Sequence, residues 1–309
     1  MDKGEFEKAL RISAVIPAYN AEKYIARSID SVLNQTCPVD EIIVVDDGST
    51  DNTADMVKHY GDKIRYIYQD NQGISGARNT GIKNTQGDYV AFLDSDDYWC
   101  PDKLERQMSL AEEHPEYGLL ASRCDKIQCA ENIKKPNRPL SYQSRRGKSG
   151  WVLNDLFQAN FIRTSSVIIR RDCFDKVGLF DEKQKQAQDY DLWLRMAAEY
   201  QVGFINEFLT VYVDNPKGIS GDGLIGRLYV LQALEKSYLK QKIPEKSYNL
   251  RMARNYFAVG RHYLQRGDRE KGLAYIKKAR RLAPLHLKYI FYLIKAVLTR
   301  HKATLNYNI

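Results

Sequence analysis

Residues 90–99 read VAFLDSDDYW, an apolar run that leads directly into three carboxylates, Asp94, Asp96 and Asp97. A short apolar run bounded by polar residues is typical of a buried strand. Three carboxylates within four residues repel one another, and this costs stability unless a cation or hydrogen bonds offset the repulsion. Ordinary turns do not need such a cluster. The stretch therefore predicts a strand that presents an acidic tip, and the D-x-D form of Asp94-Ser95-Asp96 suits Mg²⁺ or Mn²⁺.

The sequence around this stretch alternates between strand-like and helix-like patterns. Strand patterns cover residues 11–18, 41–45, 64–68 and 89–93, and a helical pattern follows each of them. This alternation indicates helical crossovers between parallel strands, so it predicts an α/β fold with a mostly parallel sheet. Asn20 is expected to cap the first helix, and Asp102 with Glu105 to form a capping box for the fourth.

Polar clusters follow three of these predicted strands. They are Pro17-Ala18-Tyr19-Asn20, Asp46-Asp47-Gly48-Ser49 and Asp94-Ser95-Asp96-Asp97. In an open α/β sheet, ligands bind beyond the carboxyl ends of the strands, so the three clusters are expected to line one crevice. The second cluster alone also fits an ordinary turn, since Asp, Gly and Ser are turn-forming residues.

Four segments, taken in order, resemble the inverting glycosyltransferases of family 2, which have the GT-A fold. They read VIPAYNAEKYIARSIDSVLNQT, EIIVVDDGSTDNT, NQGISGARNTGIKNTQGDYVAFLDSDDYWCPDKLE and VGLFDEKQKQAQDYDLWLR. The resemblance covers about Ile12 to Tyr212, two thirds of the chain. It implies a Rossmann-like mixed, mostly parallel sheet flanked by helices over residues 1–220. Residues 221–309 are then expected to form a basic helical C-terminal region.

The resemblance also implies how a nucleotide sugar would be held. Pro17, Tyr19 and Asp47, with Asp46 beside them, would cradle the base. An aromatic face on the base and a carboxylate that accepts a ring N–H suit uracil or thymine, so the expected donor is a UDP- or dTDP-sugar. Arg78 would lie near the nucleotide.

The resemblance places the metal at the acidic tip. Asp94 and Ser95 would face the ribose, and Asp96 would be the main ligand of Mn²⁺ or Mg²⁺, with Asp94 as the second carboxylate. The cation would bridge the two phosphates and act as a Lewis acid for the departing diphosphate.

The resemblance assigns the catalytic base to Asp189, in the segment Gln188-Asp189-Tyr190-Asp191. In the family this base deprotonates the acceptor hydroxyl, which attacks the anomeric carbon from the face opposite the leaving group. Asp191 is the local alternative, and it is expected to cap the following helix or to pair with Arg195.

Two positions depart from the family pattern. Gln188 stands where many relatives have Glu. Val213-Asp214-Asn215 stands where many relatives have an Arg, often with a nearby His, that stabilises the charge of the diphosphate. Lys217 and Arg227 are candidate replacements, and the sequence does not choose between them.

Composition indicates a soluble protein with one large domain or two smaller ones. Hydrophobic residues make up 43% and charged residues 28% of the 309 residues, the usual shares for globular chains. No stretch reads as a signal peptide or a membrane span. The five cysteines form no CxxC pair, which favours a reducing cytosol. The expected location is therefore cytoplasmic, with peripheral contact to the cytoplasmic face of a membrane as a further possibility.

The positive charge is concentrated at the C-terminus. From Pro244 onward, fifteen lysines and arginines face three acidic residues, a net charge of +12. Residues from Ala253 to Pro284 fit a tetratricopeptide-like helical hairpin. In the next segment Lys288, Lys295 and Lys302 stand seven residues apart, which suits either a docking or dimer helix or an interfacial helix on an anionic bilayer. Membrane contact is favoured because acceptors in the resembled family are often lipid-linked or growing surface glycans.

Three other functions are weighed against glycosyl transfer. A sugar nucleotidyltransferase would need a Gly-rich basic loop after the first strand, where this chain has IPAYNAEKY. A non-catalytic scaffold that binds partners through its helical tail is the main alternative, and intact DDGS, DSD and QD segments argue against it. Nucleic-acid binding is not expected, because no segment reads as a nucleic-acid-binding module.

Overall fold

The computed structural model describes residues 10–128, 146–214 and 223–294 of the chain. The chain divides into two compact units. Unit 1 takes in residues up to Val152 together with Asn160–Gly218, and unit 2 takes in Leu153–Ala159 together with Ile219–Ile309. The sequence did not predict that the short segment from Leu153 to Ala159 belongs to unit 2. The functional boundary at residue 220 stays a prediction.

Unit 1 is built on one eight-stranded sheet with the strand order β3-β2-β1-β4-β7-β6-β8-β5. The strands are β1 Ile12–Ala18, β2 Glu41–Asp46, β3 Arg65–Tyr68, β4 Tyr89–Phe92, β5 Tyr98–Trp99, β6 Tyr117–Gln128, β7 Ile168–Arg170 and β8 Gln201–Asp214. The first four run parallel, as do β6 and β8, whereas β7 is antiparallel to β4 and β6, and β5 is antiparallel to β8. The predicted mixed, mostly parallel sheet is confirmed.

Helices alternate with the strands along unit 1. They are α1 Ile25–Leu33, α2 Thr53–Lys58, α3 Gly73–Lys83, α4 Lys103–Glu113, α6 Cys173–Val177 and α7 Gln188–Glu199, with short 3₁₀ turns at Gly61–Lys63 and Thr164–Ser166. Unit 2 contains α5 Leu153–Gln158, α8 Gly223–Leu234, α9 Ser237–Lys242, α10 Glu245–Gln265 and α11 Arg269–Leu282. The predicted α/β class with C-terminal helices is confirmed.

The core of unit 1 covers both faces of the sheet. Along β2, Ile42 and Val44 pack on the side of α1, while Ile43 and Val45 pack with Ala77 of α3 on the other side. Strands buried on both faces read as continuous apolar runs, which explains why the patterns of β1, β2 and β4 were legible. Each fully buried Ile or Val side chain contributes about 1.5–3 kcal/mol relative to an exposed one. The sheet is therefore a rigid support for the loops at its edge.

The two predicted helix caps are wrong. Helix α1 begins only at Ile25, and the Asn20 side chain instead accepts a hydrogen bond of 2.8 Å from the Thr50 N–H. Helix α4 follows Asp102 without a side-chain cap, and Glu105 instead accepts a 2.6 Å bond from the Thr36 hydroxyl. In both cases the side chain accepts a hydrogen bond from a residue distant in the sequence instead of from an N–H group of the first helical turn.

Unit 2 contains the predicted helical hairpin. Helices α10 and α11 approach closely at two glycines, and a Cβ on Gly260 would lie 2.8 Å from the Gly272 carbonyl oxygen. Phe257, Ile276 and Tyr289 are buried beside this contact. Within the described ranges, no helix is both long enough and apolar enough to span a bilayer. Of the predicted basic stripe, Lys295 and Lys302 lie outside the described residues.

Helix α5 joins unit 2 through α10, although it lies between β6 and β7 in the sequence. The Phe157 ring stacks on Tyr248 with a centroid distance of 5.4 Å. The Gln158 side chain donates a 2.9 Å hydrogen bond to the Ser247 hydroxyl, which donates in turn to Asn154 at 2.6 Å. An aromatic stack and a chain of polar contacts therefore hold this segment in unit 2.

Candidate active site

The three polar clusters meet at one edge of the sheet. Strands β2, β1 and β4 are parallel neighbours, so their carboxyl ends lie side by side. Asp46 pairs in register with Ala18, and the Leu93 N–H donates to the Val15 carbonyl. Pro17 is buried, and Tyr19 presents a ring that is 54% exposed. The three strand ends that the sequence expected to line one crevice therefore lie side by side.

The carboxylates after β2 are buried and hold the surrounding loops. Asp46 accepts bonds from the Tyr66 hydroxyl at 2.7 Å and from the Ser49 N–H at 2.8 Å. Gly48 adopts a φ of +80°, so DDGS is also the turn that the alternative interpretation expected. Asp46 is completely buried, which leaves it a role in shaping the crevice.

Asp47 joins the second strand end to the start of helix α3. One carboxylate oxygen accepts from the Gln69 side chain at 2.7 Å and from the Gln72 N–H at 2.9 Å, and the other accepts from the Gly73 N–H at 2.8 Å. A carboxylate has about four acceptor positions. Asp47 therefore keeps capacity for one more donor on the oxygen that contacts Gly73.

Arg78 and Asp94 form an ion pair inside the site. The Arg78 Nη2 lies 2.5 Å from the Asp94 Oδ1, and the side chains are 3% and 27% exposed. The guanidinium also lies over the Phe180 ring at 5.3 Å, while its Nε and Nη1 have no hydrogen-bond partner among the residues that the structure describes. Arg78 thus orients the first carboxylate of the D-x-D segment.

The backbone of the D-x-D segment is fixed from helix α1. The Ser28 hydroxyl lies 2.7 Å from the Ser95 carbonyl oxygen and 2.5 Å from that of Asp97. Arg27 donates a 2.9 Å bond to the Asp96 carbonyl oxygen. The side chains of Ser95 and Asp96 are half-buried. Helix α1 therefore holds this loop through its backbone carbonyl groups.

Asp97 is buried and binds the protein itself. Its carboxylate accepts from the Ser165 hydroxyl at 2.5 Å and from the Val213 N–H at 2.9 Å. Burial, followed by the charges of Asp96 and Asp94, raises the pKa of the Asp97 carboxyl well above its usual range. This third carboxylate is therefore a structural link between β4, β8 and the Thr164–Ser166 turn.

The remaining carboxylates of this segment suit a divalent cation. Among the described residues, no three His, Cys, Asp or Glu side chains are grouped closely enough to form a complete metal site. Mg²⁺, however, is commonly bound through one or two carboxylates plus substrate phosphates, with water in the other positions. Asp94 and Asp96, both half-buried, fit that donor set.

Asp189 is the second residue of helix α7. The helix begins directly after Ala187, whose φ of 55° is left-handed. Its carboxylate lies 3.4 Å from the Thr164 hydroxyl. Asp191 is fully buried and pairs at 3.1 Å with Arg195, as expected from the sequence. The same Arg195 also donates to the carbonyls of Val177 and Leu179. Asp191 is thus tied into the fold, whereas Asp189 is half-exposed.

The sequence did not reveal the role of the turn at Thr164–Ser166, which contacts both Asp189 and the acidic segment after β4. Thr164 contacts Asp189, and the next residue, Ser165, contacts Asp97 and accepts from the Asp94 N–H at 3.1 Å. The available signal was a run of three hydroxyl residues directly before a buried strand. Two adjacent residues therefore bring Asp189 and the D-x-D segment together.

The sequence also missed Asn79, which follows Arg78. Its side chain donates to the Phe180 carbonyl and to Glu182, both at 2.9 Å, and accepts from the Phe180 N–H. The Phe180–Glu182 segment precedes α7, so Asn79 holds the chain that leads into the helix of Asp189. Arg78 thus contacts the D-x-D segment, and Asn79 contacts the segment that leads to Asp189.

The sequence offered Lys217 and Arg227 as replacements for the missing Arg or His. Lys217 lies outside the described residues. Arg227 is in unit 2, where its Nε lies 3.0 Å from the Nε2 of His262. The strand end itself, at Val213, donates its N–H to Asp97.

Comparison with known proteins yields one family and many relatives. The model of the family "Glycosyl transferase family 2" matches residues 13–178. An uncharacterised glycosyltransferase of Rickettsia prowazekii is 34% identical over 206 residues, covering 64% of this chain and 62% of the relative. One from Methanocaldococcus jannaschii is 32% identical over 216 residues, covering 68% and 72%. The chain thus spans less than two thirds of the Rickettsia prowazekii relative.

Solved structures share the fold. S. aureus TarS 1–349, in complex with UDP-GlcNAc, superposes with a TM-score of 0.61, covers 88% of this chain and 91% of its own, and is 18% identical. A second crystal structure of S. aureus TarS 1–349 gives a TM-score of 0.64. At this identity the likeness supports the fold and nothing further.

Proposed function

Because this chain belongs to glycosyltransferase family 2 and has the GT-A fold, we propose that it transfers a sugar from a UDP- or dTDP-sugar to a hydroxyl acceptor, with inversion. One observation carries the proposal. Thr164 and Ser165, adjacent in sequence, hydrogen-bond to Asp189 and to Asp97 respectively. A candidate base and a candidate diphosphate site therefore stand side by side, as an attack on the anomeric carbon requires.

The nucleotide would bind across the ends of β1 and β2. Tyr19, exposed at the end of β1, would stack on the base, against the buried Pro17. The remaining acceptor position of Asp47 would take the ring N–H of uracil or thymine, while Asp46 shapes the loop. S. aureus TarS, which shares the fold, has been solved in complex with UDP and with UDP-GlcNAc, and the proposal takes a uridine nucleotide as the first candidate donor to test. Arg78 would position Asp94 and Ser95 along the ribose.

The residues of this chain divide the chemistry between two carboxylate groups. Asp189 would accept the proton of the acceptor hydroxyl as its oxygen bonds to the anomeric carbon. The bond from that carbon to the β-phosphate oxygen breaks on the opposite face, and its electron pair leaves with the diphosphate. Asp96 and Asp94 would hold Mn²⁺ or Mg²⁺. When bound, the cation supplies Lewis-acid stabilisation of the diphosphate charge.

Donor turnover tests this proposal. The full chain is incubated with a panel of UDP-, dTDP- and GDP-sugars, with Mn²⁺ and a mixture of simple glycoside acceptors, and the release of nucleoside diphosphate is followed. We expect release from at least one UDP- or dTDP-sugar and none from GDP-sugars, because the base site is built for a pyrimidine. Release from GDP-sugars alone would overturn the proposed donor class.

We further propose that unit 2 contacts an anionic membrane, so that a cytoplasmic enzyme meets a glycan or lipid-linked acceptor there. Four large apolar side chains near the end of the described chain are exposed, at 89%, 80%, 59% and 53% for Leu285, Leu287, Phe291 and Ile294. An open cavity of about 1000 Å³ in the same region is lined by four basic side chains, one acidic one and three apolar ones: Arg269, Lys277, Arg280, Arg281, Glu270, Leu273, Pro284 and Leu293. Apolar side chains flanked by cations suit the interface of a bilayer with acidic headgroups.

Vesicle flotation tests the membrane proposal. The wild type should float with phosphatidylglycerol vesicles at low salt and not with phosphatidylcholine vesicles, since attraction to the acidic surface is screened by salt. Replacing Leu287 and Phe291 together by Ser should remove flotation, whereas Leu33→Ser, at an exposed leucine of unit 1, should not. Equal recovery of wild type and the double variant in the floating fraction would refute this surface.

A further inference from the structure

We infer that Arg163 binds the β-phosphate of the donor and fills the cationic role for which the described part of β8 offers no basic residue. The inference rests on the proposed function and names one more residue of the same site. Arg163 directly precedes Thr164 and Ser165, whose hydroxyls contact Asp189 and Asp97. It therefore stands at the junction between the candidate base and the acidic segment.

The surroundings of Arg163 place its charge among the acidic residues. Its guanidinium carbon lies 5.6 Å from the centre of the Tyr212 ring. Tyr212 precedes Val213, whose N–H donates to Asp97. Burial raises the pKa of Tyr212 to about 12, the charges of Asp97, Asp96 and Asp94 act in the same direction, and the charge of Arg163 opposes them. The charges of Arg163 and of the three carboxylates therefore all influence the Tyr212 hydroxyl.

The Arg163 guanidinium is not engaged by these carboxylates. Among the residues whose side chains the structure describes, it makes no ion pair or hydrogen bond, and it lies over the Tyr212 ring. Asp94 instead pairs with Arg78, and Asp97 accepts from Ser165 and Val213. Arg163 is exposed and lies over an aromatic ring. A planar guanidinium binds phosphate oxygens through paired N–H donors.

A cation at this position serves the reaction. As the bond between the anomeric carbon and the β-phosphate oxygen breaks, negative charge grows on that oxygen. Donors already in place stabilise such charge more in the transition state than in the bound donor. The backbone of Arg163 is itself held, because the Ser166 hydroxyl and N–H donate to its carbonyl at 2.8 and 3.0 Å. The backbone from which the Arg163 side chain extends is therefore held in place.

Differential nucleotide binding tests the inference. UDP and UMP are titrated calorimetrically into the full chain with Mn²⁺, for wild type and for Arg163→Ala. Because charged hydrogen bonds to a phosphate are among the strong ones, the variant should bind UDP about ten- to hundredfold more weakly and UMP within about twofold of wild type. Arg163→Lys should recover part of the UDP affinity, since lysine restores the positive charge but not the paired N–H donors of the guanidinium.

Arg171 provides a matched control. It is exposed like Arg163 and follows β7, whereas Arg163 precedes that strand, so the two lie towards opposite ends of it. Arg171→Ala should leave the affinities for both nucleotides unchanged. Equal UDP binding by wild type and Arg163→Ala, or equal losses of UDP and UMP binding, would overturn the role of Arg163 alone. Failure of wild type to bind UDP at all would instead count against the proposed function.

Discussion

Asp189→Asn is expected to lower the rate of sugar transfer by about 10²–10⁴-fold, the usual contribution of a general base. The amide keeps the size of the side chain and its contacts with Thr164 and the Tyr190 N–H, but it cannot accept the acceptor proton. UDP affinity should stay within about twofold of wild type, because binding alone does not use the base. Single-turnover transfer and UDP titration of the same preparation measure the two effects.

Asp191→Asn is the matched control for that variant. Asp191 is buried and paired with Arg195, so its loss leaves a buried charge without a full partner. Breaking a buried pair costs about 3–5 kcal/mol of folding stability, which thermal unfolding would show. The transfer rate of the protein that remains folded should be close to wild type. If Asp191→Asn stopped transfer without loss of stability, or Asp189→Asn weakened UDP binding as much as transfer, this division of roles would be wrong.

Asp96→Ala is expected to weaken Mn²⁺-dependent UDP binding by about a hundredfold, since each tenfold corresponds to about 1.4 kcal/mol and a charged contact is worth about 1.5–3 kcal/mol. The change removes one of the two carboxylates that would bind the cation, and leaves the Asp96 carbonyl contact with Arg27 in place. The loss of the free Mn²⁺ signal in electron paramagnetic resonance, titrated with and without UDP, measures it.

Asp102→Ala is the control for Asp96. Asp102 is a half-exposed carboxylate only six residues further along, in front of α4. Its removal changes the net charge by the same amount but should leave Mn²⁺ and UDP binding as in wild type. If both variants lost the same amount of Mn²⁺ binding, the effect would be a general electrostatic one, and Asp96 would have no special place in the site.

The strands could be read from the sequence, whereas several side-chain environments could not. Runs such as EIIVV are buried on both faces, so their pattern is unambiguous. Lys103 reads as an ordinary exposed helix residue, yet it is fully buried, with its Nζ 4.2 Å from the Trp99 ring centre and 2.6 Å from Gln107. Burial lowers the pKa of Lys103 to about 7. Sequence periodicity does not report such tertiary burial.

The acidic tip was evident from the sequence, but its supports were not. Ser165 lies 68 residues from Asp97, and Thr164 lies 25 residues from Asp189. Hydroxyl residues are common before strands, and only the fold shows which carboxylates they contact. The same holds for Asp97, the third carboxylate of the acidic cluster, which is buried and accepts hydrogen bonds from Ser165 and Val213. Long-range hydrogen bonds thus divide three similar carboxylates into different roles.

Calorimetric titration of UDP and of dTDP into the wild-type chain, with Mn²⁺ and again with a chelator, tests the central claim most directly. A nucleotide-sugar site built on Asp47, Asp94 and Asp96 predicts saturable UDP binding that disappears when the metal is removed. Absence of binding to both UDP and dTDP under either condition would contradict the claim. The non-catalytic scaffold with a binding tail would then be the better account of this chain.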